Sequence, residues 1–531
     1  MEQARGVSHW WPTCGVMLGA LTVALNIGVL NIAIPSMMSS LGTDLNRIQW
    51  VQTGYQIAQM VMIPAIGWLG ARLGTKRLFL MSTLAFIGGS ILSGMAWDVH
   101  SLIFFRVLQG IGGGPITPLG MSILHSTFPP DKRGLAMGLY NFSFSFGPAI
   151  APALGGHLIE VLSWRAIFYI NVPVGLLSAG IIFFTMPQTQ DRQARPFDAA
   201  GVFTMASFLV LFLIALSEGQ RYGWHSQMIV MLFGIAGVLL LAFIVAELTT
   251  DAPFVEIRLY KNLPFTMGCL IAFLSTMEFR GTNFLLPIML QRIFHYTPFQ
   301  AGLFFLLPAL FMGVISIAAG RMSDKIQPKL LLIVGLLVLS YVSLQFCGID
   351  AWTTGGMLVG LFILRRSAQA FCHSPLTLAT LRHIPEDQVR MASGLFSLHR
   401  NLAGAVGVAL TATLMEARED VHTLLYSQRQ ALYPWGTQEA TETIRDVLVQ
   451  DGQVGEELTQ MTNAVLRQKL GDEATLAGYQ DLFSMFAALA LVCLVPVLLM
   501  RSGKVHKGSA EDTKGVTGAP RQARLSWRSP R

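Results

Sequence analysis

Five arginines and one glutamate lie inside long apolar runs, where charge is costly: Arg106, Arg280, Arg365, Arg366, Arg400 and Glu278. No nucleophile–base pair or metal-ligand cluster accompanies them, so the chemistry these residue types offer is electrostatic. A charge in an apolar helix normally faces a bundle interior or a water-filled cavity and marks an ion or solute path, or it is held by a partner. Arg106 sits in Leu102-Ile103-Phe104-Phe105-Arg106-Val107-Leu108-Gln109-Gly110-Ile111-Gly112-Gly113-Gly114-Pro115, with Gln109 one turn further on. Its structural alternative is a hydrogen bond to carbonyls of facing helices. Glu278, in Ser275-Thr276-Met277-Glu278-Phe279-Arg280-Gly281-Thr282-Asn283, is the one carboxylate well inside a run; Glu160 and Glu247 sit near run ends. Arg280 lies on a different helix face from Glu278. An ion pair of Glu278 with Arg280, Arg365, Arg366 or Arg400 from another helix is the plain alternative to a free functional carboxylate. Arg365 and Arg366 point about 100° apart on a helix and cannot face the same way.

The elements that must position these groups follow from composition. The 531 residues are 53% hydrophobic and 13% charged, against roughly 25% charged in soluble domains. Fourteen apolar segments are predicted as helices: 12–36, 48–70, 77–97, 101–125, 134–160, 165–186, 198–217, 226–248, 265–290, 301–320, 329–348, 355–380, 391–415 and 479–501. Each approaches the length needed to span about 30 Å of hydrocarbon. The fold class expected is an all-α polytopic membrane protein with fourteen transmembrane helices. An even count places both termini on one side. With that side cytoplasmic, 23 of the 37 Lys and Arg fall inside and nine outside, the asymmetry of the positive-inside rule. The net charge of +7 is thus a topology signal and not a nucleic-acid signal. Residues 416–480 form one long outer-side loop with more acids than bases, expected to hold short helices and to serve as a connector or a docking surface. Residues 502–531 read as a basic, disordered cytoplasmic tail in reach of lipid headgroups. Cys14, Cys269, Cys347, Cys372 and Cys493 show no metal or disulfide spacing, and the first apolar run is too long for a cleavable signal.

The chain also repeats itself. Gly67-Trp68-Leu69-Gly70-Ala71-Arg72-Leu73-Gly74-Thr75-Lys76-Arg77 follows the second segment, and Gly320-Arg321-Met322-Ser323-Asp324-Lys325-Ile326-Gln327-Pro328-Lys329 follows the tenth. At one constant offset Arg106, Gln109, Pro115 and Thr117 match Arg366, Gln369, Pro375 and Thr377. Asp131, Ala136, Gly138 and Leu139 likewise match Asp387, Ala392, Gly394 and Leu395. Parallel repeats mark transporters whose two bundles enclose a site near the midplane. The seventh and eighth segments are then an extra pair. Gly147, Pro148, Gly155 and Gly156 are expected to kink the fifth segment and allow close packing. Phe142, Phe144, Phe146, Met277 and Phe279 can line an adaptable apolar pocket, or simply pack.

This ordered set resembles the major facilitator superfamily, in its fourteen-helix drug:proton antiporter branch of EmrB-type multidrug exporters. Gly67, Gly70, Arg72, Gly74 and Arg77 resemble the loop 2–3 motif, and Arg106, Gln109 and Gly110 the helix 4 arginine motif. Gly147-Pro148 with Gly155-Gly156 resembles the antiporter motif of helix 5, and Trp164-Arg165-Ala166-Ile167-Phe168-Tyr169-Ile170-Asn171-Val172-Pro173-Val174-Gly175 a branch signature. The resemblance implies a major facilitator fold of two six-helix bundles plus two helices. Its parts are an N-terminal bundle over 1–190, an accessory pair over 191–262 and a C-terminal bundle over 263–501. It further implies a proton-driven efflux transporter for amphipathic or hydrophobic compounds, in the bacterial cytoplasmic membrane, with no cofactor. Its partners would be a small-molecule substrate, protons, lipid, and a periplasmic adaptor with an outer-membrane channel docking on 416–480. Arg106 would then tune a coupling acid or orient substrate, and helix 5 would act as hinge and seal.

Two positions depart from the pattern. Asn26 stands where the branch has a helix 1 aspartate, in a series continuing through Asn31, Ala33 and Pro35. Ala71 replaces an aspartate that Asp324 keeps in the second half. Glu278 is therefore the candidate substitute for the missing helix 1 acid, serving Arg106. With His373 and His399, the arginines make the second half unusually basic inside, which suits an anionic or amphipathic substrate, or ordinary packing on carbonyls. The alternatives are an exporter of one endogenous metabolite, lipid or siderophore, with or without proton coupling, and a non-transporting membrane scaffold or sensor. No phosphate-binding GxxxxGK[ST] loop occurs, which argues against ATP-powered pumping, and no enzymatic constellation is found.

Overall fold

Backbone polar groups in apolar surroundings must be satisfied internally, and a helix does so within one segment. In the computed structural model of the chain, every regular element among the described residues is helical. The described residues are 10–43, 45–188, 198–250, 255–350, 353–382, 384–386, 388–432, 434–450 and 455–500. The expected tail over 502–531, and Asp387 of the repeat, lie outside them.

The first part of the chain comprises α1 (Trp10–Leu41), α2 (Leu45–Met62), α3 (Ile66–Leu73), α4 (Thr75–Gly94), α5 (Val99–Thr127), α6 (Arg133–Val161), α7 (Ala166–Tyr169) and α8 (Asn171–Thr185). Next come α9 (Ala199–Tyr222) and α10 (Gln227–Thr249). The last part comprises α11 (Leu263–Arg292), α12 (Pro298–Lys325), α13 (Pro328–Phe346), α14 (Gly355–Leu381), α15 (Val389–Leu432), α16 (Pro434–Gln450), α17 (Gly455–Val492) and α18 (Leu494–Leu499). The ends are chemically marked. Asp98 accepts from the Ser101 amide at 2.7 Å while the Ser101 hydroxyl accepts from the Asp98 amide, a capping box that starts α5. Thr297 and Gln300 do the same for α12. Gly74, at φ +81°, turns the chain between α3 and α4, a conformation that suits glycine.

Helices α1, α2, α4, α5, α6 and α8 pack on one another, and α11 to α15 with α17 repeat that arrangement: α1 meets α6 as α11 meets α15, and α4 meets α5 as α13 meets α14. Helices α9 and α10 pair with each other, and α9 touches α2 and α15. The two groups join along α6 and α12, and where α15 meets α3 and α5.

Eight of the described helices are long and apolar enough to cross a membrane. Helix α10 shows why lipid is required. Its buried residues, Ile229, Ala236, Phe243 and Glu247, form one narrow stripe. Val230, Met231, Ile235, Val238, Leu241, Val245 and Leu248 are exposed. An apolar surface of that extent is uncommon on a soluble monomer.

Two expectations change. The second segment breaks at Pro64 between α2 and α3, since proline has no amide hydrogen to donate to a helix. Residues 416–480 hold the short helix α16, as expected, but also long extensions of two neighbouring helices. Helix α15 runs unbroken for 44 residues to Leu432, and α17 begins at Gly455. No Gly or Pro interrupts the chain from Val408 to Tyr433, so nothing stops the helix at the membrane surface. At 1.5 Å per residue α15 is about 66 Å long, twice the hydrocarbon thickness. Helix α6 runs through Gly147 and Pro148 from Arg133 to Val161. Gly147 lies against Ala24 and Leu25 of α1 and Gly155 against Val29, while Gly156 faces open space, so close packing belongs to the first two only.

Candidate functional site

Each bundle holds a buried arginine node. In the first, Arg106 of α5 is fully buried. It donates to Asn26 Oδ1 on α1 (2.9 Å), to Gln109 Oε1 (2.6 Å) and to the Val51 carbonyl of α2 (3.0 Å). Its guanidinium lies 4.2 Å from the centre of the Tyr55 ring, a favourable place for a cation. Gln109 passes the network on, donating to Ser90 Oγ of α4 at 2.9 Å, and Asn171 of α8 donates to the same oxygen at 3.0 Å. Every acceptor named is neutral.

The glycines of the opening stretch make this contact possible. Gly110 and Gly114 lie against the α2 backbone at Tyr55 and Gln59, and Gly112 against the α4 backbone at Phe86. A methyl group at any of the three would collide with main chain, and α5 would lose its seat between α2 and α4.

The second node is built to the same plan around Arg365 of α14. Arg365 binds Glu278 of α11, donates to Thr282 Oγ1 at 2.5 Å and to Ser343 Oγ of α13 at 2.8 Å. Thr282 also donates to Glu278 Oε1 (3.2 Å). The corresponding elements supply the corresponding groups. Glu278 answers Asn26, Ser343 answers Ser90, and the Phe483 ring, 5.9 Å from Arg365, answers Phe168, 5.7 Å from Arg106. Glu278 is 1% exposed, and its Oε2 has no hydrogen-bond partner among the described residues.

Two expectations are corrected here. The repeat made Arg366 the counterpart of Arg106, but it is Arg365 that occupies the equivalent node. Glu278 serves Arg365 and does not reach Arg106, which Asn26 and Gln109 hold. Of the ion pairs considered for Glu278, the structure forms the one with Arg365.

Arg366 points elsewhere, donating to Asn283 Oδ1 at 2.7 Å and lying 5.0 Å from the centre of the Phe279 ring. It joins Arg280, Arg400 and His373 in a half-buried basic cluster. His399 is separate and contacts the Tyr260 hydroxyl at 3.3 Å. Phe142 and Phe146 stack at 5.6 Å on α6, with Phe142 against Gly313 of α12.

The glycine-rich turns form the contact between bundles. Asp324, at the end of α12, accepts from the amides of Gly134 (2.7 Å) and Leu135 (3.0 Å), the first turn of α6. A carboxylate at a helix N-terminus satisfies orphan amides and opposes the helix dipole. Gly134 and Gly320 meet backbone to backbone beside it. On the pseudo-symmetric side Ala71 provides no carboxylate. There Gly67 packs on Met391 and Gly70 on Arg390, whose guanidinium donates to Thr75 Oγ1 at 3.3 Å. Arg72 lies over Trp68, and Arg77 reaches the Gln188 carbonyl once that amide is turned toward it. Arg133 and Glu386 add an ion pair at the same end (3.5 Å).

Ser90, Tyr55, Ser343 and Thr282 are not singled out by the sequence, and Asn171 appears there only within the branch signature. Thr282 was within reach, being one helical turn from Glu278 on the same face.

Two repeated helical bundles with buried arginine nodes, latched at the end that carries their glycine-rich turns, define a polytopic membrane protein of the two-bundle kind. Residues 16–408 match the Major Facilitator Superfamily, and the chain belongs to that family. It is 31% identical over 499 residues to the multidrug export protein EmrB of Haemophilus influenzae, covering 91% of this chain and 94% of that one. It is 28% identical to the fatty acid resistance protein FarB of Neisseria gonorrhoeae, covering 95% and 98%. In fold it is similar to the human organic anion transporter MFSD10, with a TM-score of 0.60 at 16% identity over 94% of this chain and all of the other.

Proposed function

We propose that the protein is a proton-driven exporter of amphipathic and hydrophobic compounds, working by alternating access of its two bundles across the cytoplasmic membrane. Fourteen membrane crossings with both termini cytoplasmic complete this reading. The similarity to a multidrug export protein over nearly the whole chain supports export. The observation that carries the coupling is Glu278, a carboxylate midway along α11, buried against Arg365 with Oε2 unpartnered among the described residues. A proton taken up on Oε2 would neutralise the carboxylate and weaken its hold on Arg365. Release of that proton would restore the pair. Arg365 bridges α11, α13 and α14, so the proton would bias the packing of three helices. The neutral Arg106 node would act as a fixed structural counterpart. The contacts of Asp324 with α6 would hold the cytoplasmic end shut in one state.

A periplasmic adaptor and an outer-membrane channel would complete the path. The extension of α15 past the membrane carries exposed Val421, Leu424 and Leu425 on one face, which supports docking there.

The test is efflux from proteoliposomes over a compound panel, with and without an imposed pH gradient, for wild type and Glu278→Gln. Gradient-driven efflux in wild type, abolished in Glu278→Gln while gradient-free exchange persists, is the expected result. Efflux indifferent to the gradient would remove proton coupling and favour the single-metabolite exporter.

A further inference from the structure

The mechanism above uses Arg365 and Glu278 and leaves the neighbouring basic cluster without a task. Arg280 of α11, Arg366 and His373 of α14, and Arg400 of α15 come together close enough for their charges to act on one another. All four are half-buried, so they are neither solvated freely nor sealed away. Their partners are neutral. Arg366 has the Asn283 amide oxygen at 2.7 Å. Arg400 lies 3.3 Å from His373 Nδ1. A guanidinium can only donate, so Nδ1 is the acceptor and the imidazole carries its proton on Nε2, leaving a further N–H donor in the cluster. Arg280 donates no hydrogen bond to any described residue. Its stem runs beside Gly404 of α15, where an added methyl would come within 3.2 Å of Arg280 Cγ.

Among the described residues no carboxylate pairs with these charges. From Leu263 to Met415 the acids are Glu278, Asp324, Asp350, Glu386 and Asp387. Glu278 is taken by Arg365 and Asp324 by the first turn of α6. Asp350 follows the end of α13, and Glu386 pairs with Arg133. In sequence Asp387 falls between α14 and α15. Charged side chains among membrane helices normally pair with one another or line a solute path. Three guanidinium groups, two with neutral partners and one with none among the described residues, make a site with donors to spare and a net positive field. Arginine matches the planar, two-oxygen edge of a carboxylate or sulfonate.

The surroundings add an apolar wall. Phe279 lies under Arg366 at 5.0 Å and Phe396 under Arg400 at 6.0 Å. The cluster faces the other bundle, since Tyr140 of α6 lies in electrostatic range of Arg400 and Asn141 donates to Ser374 of α14 at 3.0 Å.

We infer that Arg280, Arg366 and Arg400, with His373, form the head-group site for an organic anion with an apolar body, and that amphipathic carboxylates or sulfonates are the preferred substrate class. This deepens the exporter reading and rests on it for the word substrate; the binding site itself does not.

The experiment separates the two. Full-length protein in phosphatidylcholine nanodiscs is titrated with octanoate, octylamine and octan-1-ol, following thermal stabilisation. The same three compounds are assayed for efflux from proteoliposomes. Octanoate should bind about tenfold or more tighter than octylamine, as a charge-assisted contact is worth about a factor of ten. Arg366→Gln, Arg400→Gln and Arg280→Gln should each remove most of that preference, and Arg366→Lys should retain part of it. If the glutamine variants do not fold, the wild-type preference among the three compounds still decides. Equal or weaker binding of octanoate overturns the inference, even if amine or alcohol is exported and the exporter reading stands. Arginine-dependent octanoate binding without efflux of any compound supports the site and overturns the exporter reading. Displacement of octanoate by phosphatidylglycerol at nanodisc concentration would identify a lipid headgroup as the occupant and overturn the substrate assignment.

Discussion

The Arg106 and Arg365 nodes are built on one plan and differ in the charge of the group that meets the arginine. Both draw on the first, third, fourth and sixth helices of their bundle. Both bury a guanidinium completely and set a phenylalanine ring about as far from it. The first bundle meets its arginine with the Asn26 and Gln109 amides, the second with the Glu278 carboxylate. An amide cannot change charge, so the first node has one state. A carboxylate can, so the second has two. The repeat thus kept the scaffold in both halves, and the acid sits in only one.

That contrast can be broken or sharpened by substitution. The largest effect is expected at Arg365. Arg365→Ala strands the buried Glu278 charge and should cost about 3–5 kcal/mol of stability. Arg106→Ala strands only neutral acceptors and should cost about 1–3 kcal/mol. Thermal unfolding of both variants in nanodiscs checks this, and equal losses would show that the two nodes are electrostatically alike. Asn26→Asp should come next. It gives Arg106 a carboxylate and should raise the number of protons moved per substrate, read as proton flux against substrate flux; an unchanged ratio would mean that the first bundle cannot couple even with an acid.

The two latches at the glycine-rich turns allow a third comparison. Asp324→Ala removes the carboxylate from the first turn of α6 and should cost about 1 kcal/mol, the usual scale for a lost cap. It should also shift the bundles toward opening at that end, measurable by spin-label distances across Gly134 and Gly320. Ala71→Asp, on the side that lacks a carboxylate, should shift the distances the opposite way. The smallest effect belongs to Gly156→Ala. Open space beside Gly156 leaves only the helix-propensity gain, about 1 kcal/mol of added stability. A loss of stability there would reassign Gly156 to the packing seam that Gly147 and Gly155 form.

Much of the fold could be read in advance because each helix closes its own hydrogen bonds. The apolar segments, the turns at Gly74 and after Asp324, and the rank of Arg106 and Glu278 as costly interior charges all follow from local composition. The extension of α15 to Leu432 is hard to read in advance because its sequence beyond residue 415 is polar on one face, as a solvated connector would be. Helix periodicity without Gly or Pro was the better signal. Ser90 and Ser343, two neutral members of the nodes, carry no signal in the sequence because serine occurs in many membrane helices without such a role.

By itself the sequence determined that the chain is a repeated set of membrane helices, that five arginines lie inside them, and that Glu278 is the acid well inside a run. Tertiary structure alone decided which arginine the acid meets. Arg365 and Arg366 are neighbours in sequence but point about 100° apart, and Glu278 lies 87 residues away on another helix. Which of the two reaches it depends on how α14 is rotated against α11. That rotation is set by the packing of whole helix faces, and a one-residue register match between repeats cannot reveal it. The same rotation that gives Glu278 to Arg365 turns Arg366 toward Arg280 and Arg400, so one packing decision makes both the candidate proton site and the candidate anion site.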